Sequence, residues 1–292
     1  MSSAGSSRRG GRRGTTLTTQ HLLHAGSTEH YEDTALYDFE YEDQRADIDW
    51  YLALFSMHAR VRAKAERPPL SALELGAGTG RITLPLIDAG HQLTALDISE
   101  KMLAALKAKA KAAALDPPAC IVADMRKLPL DDSSVDLVIA PFNCLMHLYT
   151  WKDLLVCFRE AARVLRPGGE FAFDVLLPDL DWLTWDPTAR HGVTKFKHPV
   201  TGQRMVYSTN HDYDHGTQVC HIRLYYDLGS RPRPRSEPHK LVHLAHRQIF
   251  PEEIRALVEL SGLELVSFDG DFLGRSLNEG IESQVVRSRK PA

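Results

Sequence analysis

Residues 73–99 read LELGAGTGRITLPLIDAGHQLTALDIS. The apolar run Leu70–Leu75 reads as a short buried strand that feeds Gly76-Ala77-Gly78-Thr79-Gly80. Arg81–Ala89 reads as a helix stopped by Gly90, and His91–Leu96 as a second strand ending at Asp97. Glycines between a strand and a helix let the backbone take positive φ and lie against a ligand. A phosphate loop of the Walker kind is excluded, because no Gly-Lys-Ser/Thr follows. The dinucleotide fingerprint needs glycine or alanine where this chain has Arg81. A plain tight turn is the alternative to a ligand loop.

The same alternation extends outward. Ser99 is placed to cap an Ala/Lys-rich helix, Glu100–Ala114. Ala119–Ala123 reads as a third strand and Val135–Ala140 as a fourth, the latter a continuous apolar run of the buried parallel type. Trp151–Val164 is a predicted helix closed by Arg166-Pro167-Gly168-Gly169, and Glu170–Leu177 a fifth strand. Strands alternating with helices predict an α/β fold with a mostly parallel sheet. From Pro178 to Phe250 the texture becomes that of antiparallel strands with turns at Thr201-Gly202 and His215-Gly216. Pro251–Ser261 then reads as a helix, with Leu263–Phe268 and Ile281–Arg289 as final strands. The expected organisation is a basic disordered tail to residue 28 and an N-terminal lid over 29–69. A core over 70–177 follows, then an antiparallel β cap inserted after strand five over 178–250. Residues 251–292 complete the core.

Composition bounds the function. The net charge is −3, so the molecule as a whole is no electrostatic nucleic-acid binder. The four cysteines form no CxxC pair and read as reduced thiols of a cytoplasmic protein. No apolar run approaches the ~18 residues of a membrane span, and no secretory signal is expected. The Ser/Gly/Arg-rich start carries no acid before Glu29. It reads as a solvated tail, with a transit peptide or an RNA-contacting arm as alternatives.

Acidic residues sharpen the loop's meaning. Asp97 lies about 20 residues beyond the glycines, where a carboxylate can accept from ribose hydroxyls. Glu74, on the strand that feeds the loop, would repel a pyrophosphate and tolerate a cofactor with a cationic centre such as a sulfonium. Asp124 follows the third strand, placed to accept from an adenine amino group, with Met125 against the ring. The strand ends at 75, 97, 124 and 140 face one crevice.

In order and spacing, LELGAGTGR, LTALDIS, VADMRKLPL, VDLVIAPFNCLMHL and REAARVLRPGGEFAFDV resemble the successive motifs of class I S-adenosylmethionine-dependent methyltransferases, closely over residues 31–177. The resemblance implies a Rossmann-like seven-stranded sheet whose last strand is antiparallel, with S-adenosylmethionine as cofactor and S-adenosylhomocysteine as product. It places Glu74, Gly76, Ala77, Gly78, Gly80 and Arg81 on the cofactor's methionine and ribose side. Asp97, Ile98 and Met102 fall around the ribose, Asp124 and Met125 at the adenine, and Pro141 and Phe142 beside the cofactor. Asn143 falls on the substrate side. It also folds the N-terminal segment over the cofactor, with Tyr37 the candidate among Tyr31, Tyr37 and Tyr41 to reach the cofactor's carboxylate; aromatic packing is the alternative.

Methyl transfer from a sulfonium needs alignment and desolvation more than acid or base. A base is needed only where the acceptor must lose a proton. His147 is the candidate, as base or as a positioning group. Tyr213 and Arg247 are candidate substrate contacts, Arg247 alternatively tying the cap to the sheet. The eight cap histidines include His211 and His215, on one strand face, but no compact metal motif, and no metal is expected. The fourth-strand exit, Ala140-Pro141-Phe142-Asn143-Cys144, lacks the nucleobase-methylating motifs, which argues against nucleic acid as substrate. The inserted cap resembles those of family members acting on small molecules. The expected function is methyl transfer to a nitrogen or oxygen of a small molecule, in specialised metabolism. The alternatives are an RNA or peptide methyltransferase and a non-catalytic cofactor-binding regulator. The cap's strand edges leave room for a homodimer.

Overall fold

The structure is a computed structural model that describes residues 19–232, 238–278 and 280–292. The basic stretch ahead of Thr19 lies outside the described residues, whereas residues 19–28, expected as part of the disordered tail, form a helix docked on the cap. From Thr19 the chain is helical. Helix α1 (Thr19–Thr28) leads through a 3-10 turn at Glu29–Tyr31 to α2 (Thr34–Glu40) and α3 (Ala46–Lys64). The core follows as β1 (Ala72–Leu75), α4 (Thr83–Asp88), β2 (Thr94–Asp97), α5 (Glu100–Ala112), β3 (Ala119–Val122), β4 (Val135–Ala140), α6 (Trp151–Val164) and β5 (Leu165–Leu176). The cap carries α7 (Leu180–Leu183), β6 (His191–Lys197), β7 (Arg204–Asp214), β8 (Val219–Leu228) and β9 (Lys240–Arg247). Helix α8 (Pro251–Leu260), β10 (Glu264–Asp269) and β11 (Ser283–Arg289) end the chain.

The core sheet has seven strands in the order β10-β11-β5-β4-β1-β2-β3. The pairs from β5 through to β3 are parallel, and β11 runs antiparallel to both β5 and β10. This is the expected sheet. The order reverses between β1 and β4, the switch point at which an open α/β sheet leaves a crevice beyond its strand ends. Side chains of β4 alternate between two cores. Val138 and Ala140 pack with Leu73, Leu75 and the apolar face of α6. Leu137 and Ile139 pack on the opposite face with Ile48, Tyr51 and Phe55 of α3. Helix α3 is thus part of the core, and the lid proper is the chain before it.

Local chemistry sets the helix starts. Ser99 accepts from Met102 N at 3.3 Å to cap α5, as expected, and Thr150 accepts from Asp153 N at 3.0 Å to cap α6. Strand β5 begins earlier than the Gly168-Gly169 pair implies, because Leu165 already pairs with Val135 across an irregular step in the ladder.

The cap is a separate four-stranded antiparallel sheet, β6-β7-β8-β9. One face packs Met205, Leu224, Tyr226 and Val242 against Leu36 and Phe39 of the lid. Helix α1 lies against β9 so closely that a Cβ on Gly26 would stand 2.5 Å from Ala245 Cβ and 2.7 Å from its backbone nitrogen. Glycine is what permits that approach.

Candidate functional site

The glycine loop caps β1 at the switch point. Gly76 and Gly80 take φ of +66° and +87°. A Cβ on Gly76 would meet Cys144 Cβ at 2.7 Å, and one on Gly80 would meet Leu106 Cγ at 2.7 Å. The loop is therefore shaped by both the left-handed backbone and the lack of room. Asp97, at the end of β2, accepts from Gly78 N through Oδ2 and from Ser99 N through Oδ1, both at 2.8 Å. Burial raises its carboxyl, while these backbone donors oppose the rise. Each oxygen keeps a lone pair for a diol. Met102 comes within 3.3 Å of where a Cβ of Gly78 would stand, Ile98 beside Asp97 is exposed, and Met125 Cε lies near Gly76. Ala77 and Pro141 are buried.

Two acids differ from expectation. Glu74 is 1% exposed, accepts from Thr83 Oγ1 at 2.6 Å, and is pushed by burial up to about 8. By itself it is therefore mostly neutral at pH 7, not the fixed negative charge that a carboxylate beside the loop suggests. A nearby cation would draw its proton off. Asp124 is half-buried, and its oxygens are held by the guanidinium of Arg126, which also binds Asp153 at 2.7 Å. Hydrogen bonds from Arg126 keep the Asp124 carboxyl below the ordinary range.

The fourth-strand exit is strained. Phe142 and Asn143 take φ of +53° and +64°, a conformation costing on the order of 1–3 kcal/mol per residue. Asp174 holds the turn, accepting from Phe142 N at 3.0 Å and from the Tyr51 hydroxyl at 2.8 Å. Asn143 Oδ1 accepts from Leu176 N at 2.7 Å. Asn143, expected to face the substrate, has its amide oxygen committed to the backbone of β5.

The lid is tied down onto the loop. Thr79 Oγ1 donates to Asp38 at 2.5 Å, and Lys109 donates to both Asp38 oxygens at 2.9 Å. Arg81 donates to Asp47 and to Gln44 O, and its guanidinium lies 4.0 Å over the Phe142 ring. The residue that breaks the dinucleotide pattern thus joins glycine loop, lid and strained turn. Tyr37 is buried among Arg81, Asp97 and Cys144, whose charges act on it, and burial pushes its phenol up.

His147 ends a 3-10 turn, Cys144–His147, after that exit. Burial pushes the Tyr31 phenol up, and its hydroxyl shares a hydrogen bond of 2.6 Å with His147 Nε2. His147 Nδ1 is buried and has no partner, and burial lowers the imidazole to about 4. His246 lies ring to ring with it at 5.0 Å. His147 is held as a neutral, oriented ring, a weak proton acceptor near pH 7.

Beside this lies a cavity of about 810 Å³ between lid, cap and the segment after β5. Its lining includes Glu40 and Tyr41 of the lid, Trp182 of α7, and Tyr207, Thr209, Ile222, Leu224, Leu244 and His246 of one cap face. Sequence reasoning missed Glu40, Trp182, Tyr207 and His246. The available signal was the period of two along β7 to β9, which puts these cap positions on one face. Tyr213 and Arg247 do not line it. Arg247 is 4% exposed and binds Gln218 and Glu253, each at 2.7 Å, so it ties β9 to the β7–β8 turn and α8. Tyr213 packs edge-on against His215. His211 stacks on Trp182 at 3.8 Å and bonds its carbonyl at 2.7 Å. Among the described residues no group of three or more His, Cys, Asp or Glu could hold a metal ion, and no helix is long and apolar enough to cross a membrane.

Residues 73–173 match the family model of a methyltransferase domain. The putative methyltransferase YqeM of Bacillus subtilis is 35% identical over 103 residues, which is 35% of this chain and 41% of that protein. Among solved structures, the CcbJ methyltransferase from Streptomyces caelestis matches with a TM-score of 0.63 at 26% identity, over 86% of this chain and 98% of its own. The sugar N-methyltransferase KedS8 from a Streptoalloteichus species matches with a TM-score of 0.60 at 17% identity, over 100% and 99%. That second likeness is one of fold. The chain spans 41% of the length of the first curated relatives it matches.

Proposed function

We propose that this protein, a member of the class I S-adenosylmethionine-dependent methyltransferase family, transfers a methyl group to a nitrogen or oxygen of a small molecule, as a step of specialised metabolism. The observation that carries the small-molecule reading is the cavity of about 810 Å³ between lid, cap and the segment after β5. That is the size range of small-ligand sites. The chain's own residues fit the cofactor. The loop would be filled by any Cβ at Gly76 or Gly80, and Asp97 keeps acceptor capacity for ribose hydroxyls.

Bound S-adenosylmethionine supplies an activated methyl for in-line displacement. The protein's part is position and dryness. Asp97 would hold the ribose, Tyr37 would lie against the amino-acid tail, and the Asp38–Thr79 and Arg81–Gln44 bonds hold the lid on the loop. His147, neutral and fixed by Tyr31, orients groups where crevice and cavity meet and excludes water. The test is to measure cofactor binding by calorimetry and then follow methyl label into small molecules, RNA and protein of a source extract. Label among small molecules supports the reading. Label confined to RNA or protein, with loss on removing the basic residues before Thr19, overturns it in favour of a macromolecular substrate.

A further inference from the structure

The cavity's charges are one-sided. Asp179, Asp181 and Glu282 line it and are exposed, and Glu40 is half-buried there, while among the described residues no lysine or arginine lines it. Its histidines add no positive charge. Burial lowers His30 to about 4 and His246 below its ordinary value. Glu40 accepts from the Tyr226 hydroxyl at 2.5 Å, and its other oxygen has only the neutral His30 at 3.8 Å. The cation that acts on it, Lys240, is bonded to Asp33 at 3.3 Å. Burial raises the Glu40 carboxyl to about 7, so near neutral pH it is only partly ionised, and a ligand that supplies a cation would draw its proton off. The aromatic side chains of Tyr41, Trp182 and Tyr207 line the same space, the kind of surface that attracts a cation. Gln248 also lines the cavity, at 4% exposure, and puts an amide among its otherwise largely apolar cap residues.

Building on the small-molecule reading, we propose that the acceptor molecule is a small organic cation drawn in past Asp179, Asp181 and Glu282, whose protonated amine is the anchor on Glu40 and not the methylated atom. The methyl goes to a separate nitrogen or oxygen, with a free lone pair, on its largely apolar body. The ammonium meets Glu40 and the aromatic side chains. The apolar body lies on Ile222, Leu224 and Leu244, and a hydroxyl or carbonyl of the ligand meets Gln248. Carboxylic or phosphorylated acceptors are repelled by the same carboxylates.

The test uses the full chain with methyl-labelled S-adenosylmethionine and a small-molecule extract, separated by ion exchange at pH 7 into cationic, neutral and anionic pools. The expected result is label in the cationic pool. Glu40→Gln should lower that label at least about tenfold, as loss of a buried charge pair does, with cofactor affinity held within about twofold by calorimetry. Glu40→Asp should restore part of it. For the labelled acceptor, once purified, Glu40→Gln should act mainly on KM. Label in the neutral or anionic pool overturns the inference and leaves small-molecule methylation standing. Label only in RNA or protein removes both. Undiminished labelling by Glu40→Gln overturns the anchor.

Discussion

In the crevice, successive strand ends each deliver one short run of residues: the glycine loop after β1, Asp97 after β2, Asp124 after β3, Phe142 after β4. In the cavity beside it, one wall is the run Leu176–Trp182 that leaves β5, but the cap wall is built from alternate residues. Tyr207 and Thr209 alternate along β7, Ile222 and Leu224 along β8, Leu244 and His246 along β9, with Glu40 arriving from the lid. The crevice is written in chain order because a parallel sheet puts every C-terminal strand end on the same side. The cap wall is written in sheet register, where a slip of one residue would turn its lining side chains away. The first arrangement suits one invariant ligand. The second lets single substitutions on one sheet face change the acceptor while the ladder stays intact.

The sharpest way to break the contrast is at Gly76. An alanine there must hold φ +66° and place its Cβ 2.7 Å from Cys144 Cβ. Gly76→Ala should weaken cofactor binding about 100-fold, ~2.7 kcal/mol, in a chain whose circular dichroism is unchanged. Retained affinity would show that the loop does not cradle the cofactor.

Gly26→Ala probes the cap side. The added methyl overlaps Ala245, so α1 must lift from β9, at a loss of ~1–3 kcal/mol in stability. Urea unfolding measures that loss. Faster hydrogen exchange should be confined to α1 and β9, with cofactor affinity unchanged. Exchange spreading to β1 and β2 would mean that crevice and cap are not separable units.

A third effect is carried by buried acids. Burial lifts Asp174 to about 6, Glu40 to about 7 and Glu74 to about 8. Between its ordinary value and its raised one, each group is protonated in the fold but ionised in the unfolded chain. Its contribution to stability is therefore full below the ordinary carboxyl range and is lost as pH climbs through the raised value. Stability should fall from pH 5 to pH 8. Glu170 runs the other way. Burial raises it, but His58, Arg289 and Arg287 together hold it at about 2, so its contribution is lost only as pH drops below the ordinary carboxyl range. Glu74→Gln should flatten the slope above pH 7. It should also remove any gain in affinity for the sulfonium cofactor over its neutral thioether product as pH rises through about 8. Equal slopes in parent and variant would remove Glu74 from the titrating set.

What could be read from the sequence follows the same division. The bounds of β4 and α6 were legible to the residue, because an unbroken apolar run and an amphipathic run each leave one pattern. The pairing of Asp97 with the glycine loop needed only strand, loop and spacing. Glu40 carried no such signal. Its partner Tyr226 is 186 residues away, and only the docking of α2 on the cap brings them together. Arg81 was visible as a departure from the dinucleotide pattern, but its work of joining loop, lid and Phe142 depends on long-range contacts. Asn143 and Arg247 looked like substrate contacts because polar side chains near strand ends often are. In the fold both answer backbone or charged groups nearby.

The smallest effect is predicted at Tyr213. It has the right residue type, and the β7 register gives it the same face as Tyr207 and Thr209. It nevertheless sits at the far end of the strand, opposite Cys220 and edge-on to His215, and does not line the cavity. Tyr213→Phe deletes one hydroxyl that makes no hydrogen bond among the described residues, so the change should stay within about 0.5 kcal/mol in stability. Acceptor KM and cofactor affinity should move less than about twofold, since a kcal/mol of lost binding would show as several-fold. Steady-state kinetics on the purified acceptor decides it. A tenfold rise in KM would mean that the acceptor reaches along β7 past His211, and that the cavity's lining follows the whole register of that face rather than the stretch beside lid and α7.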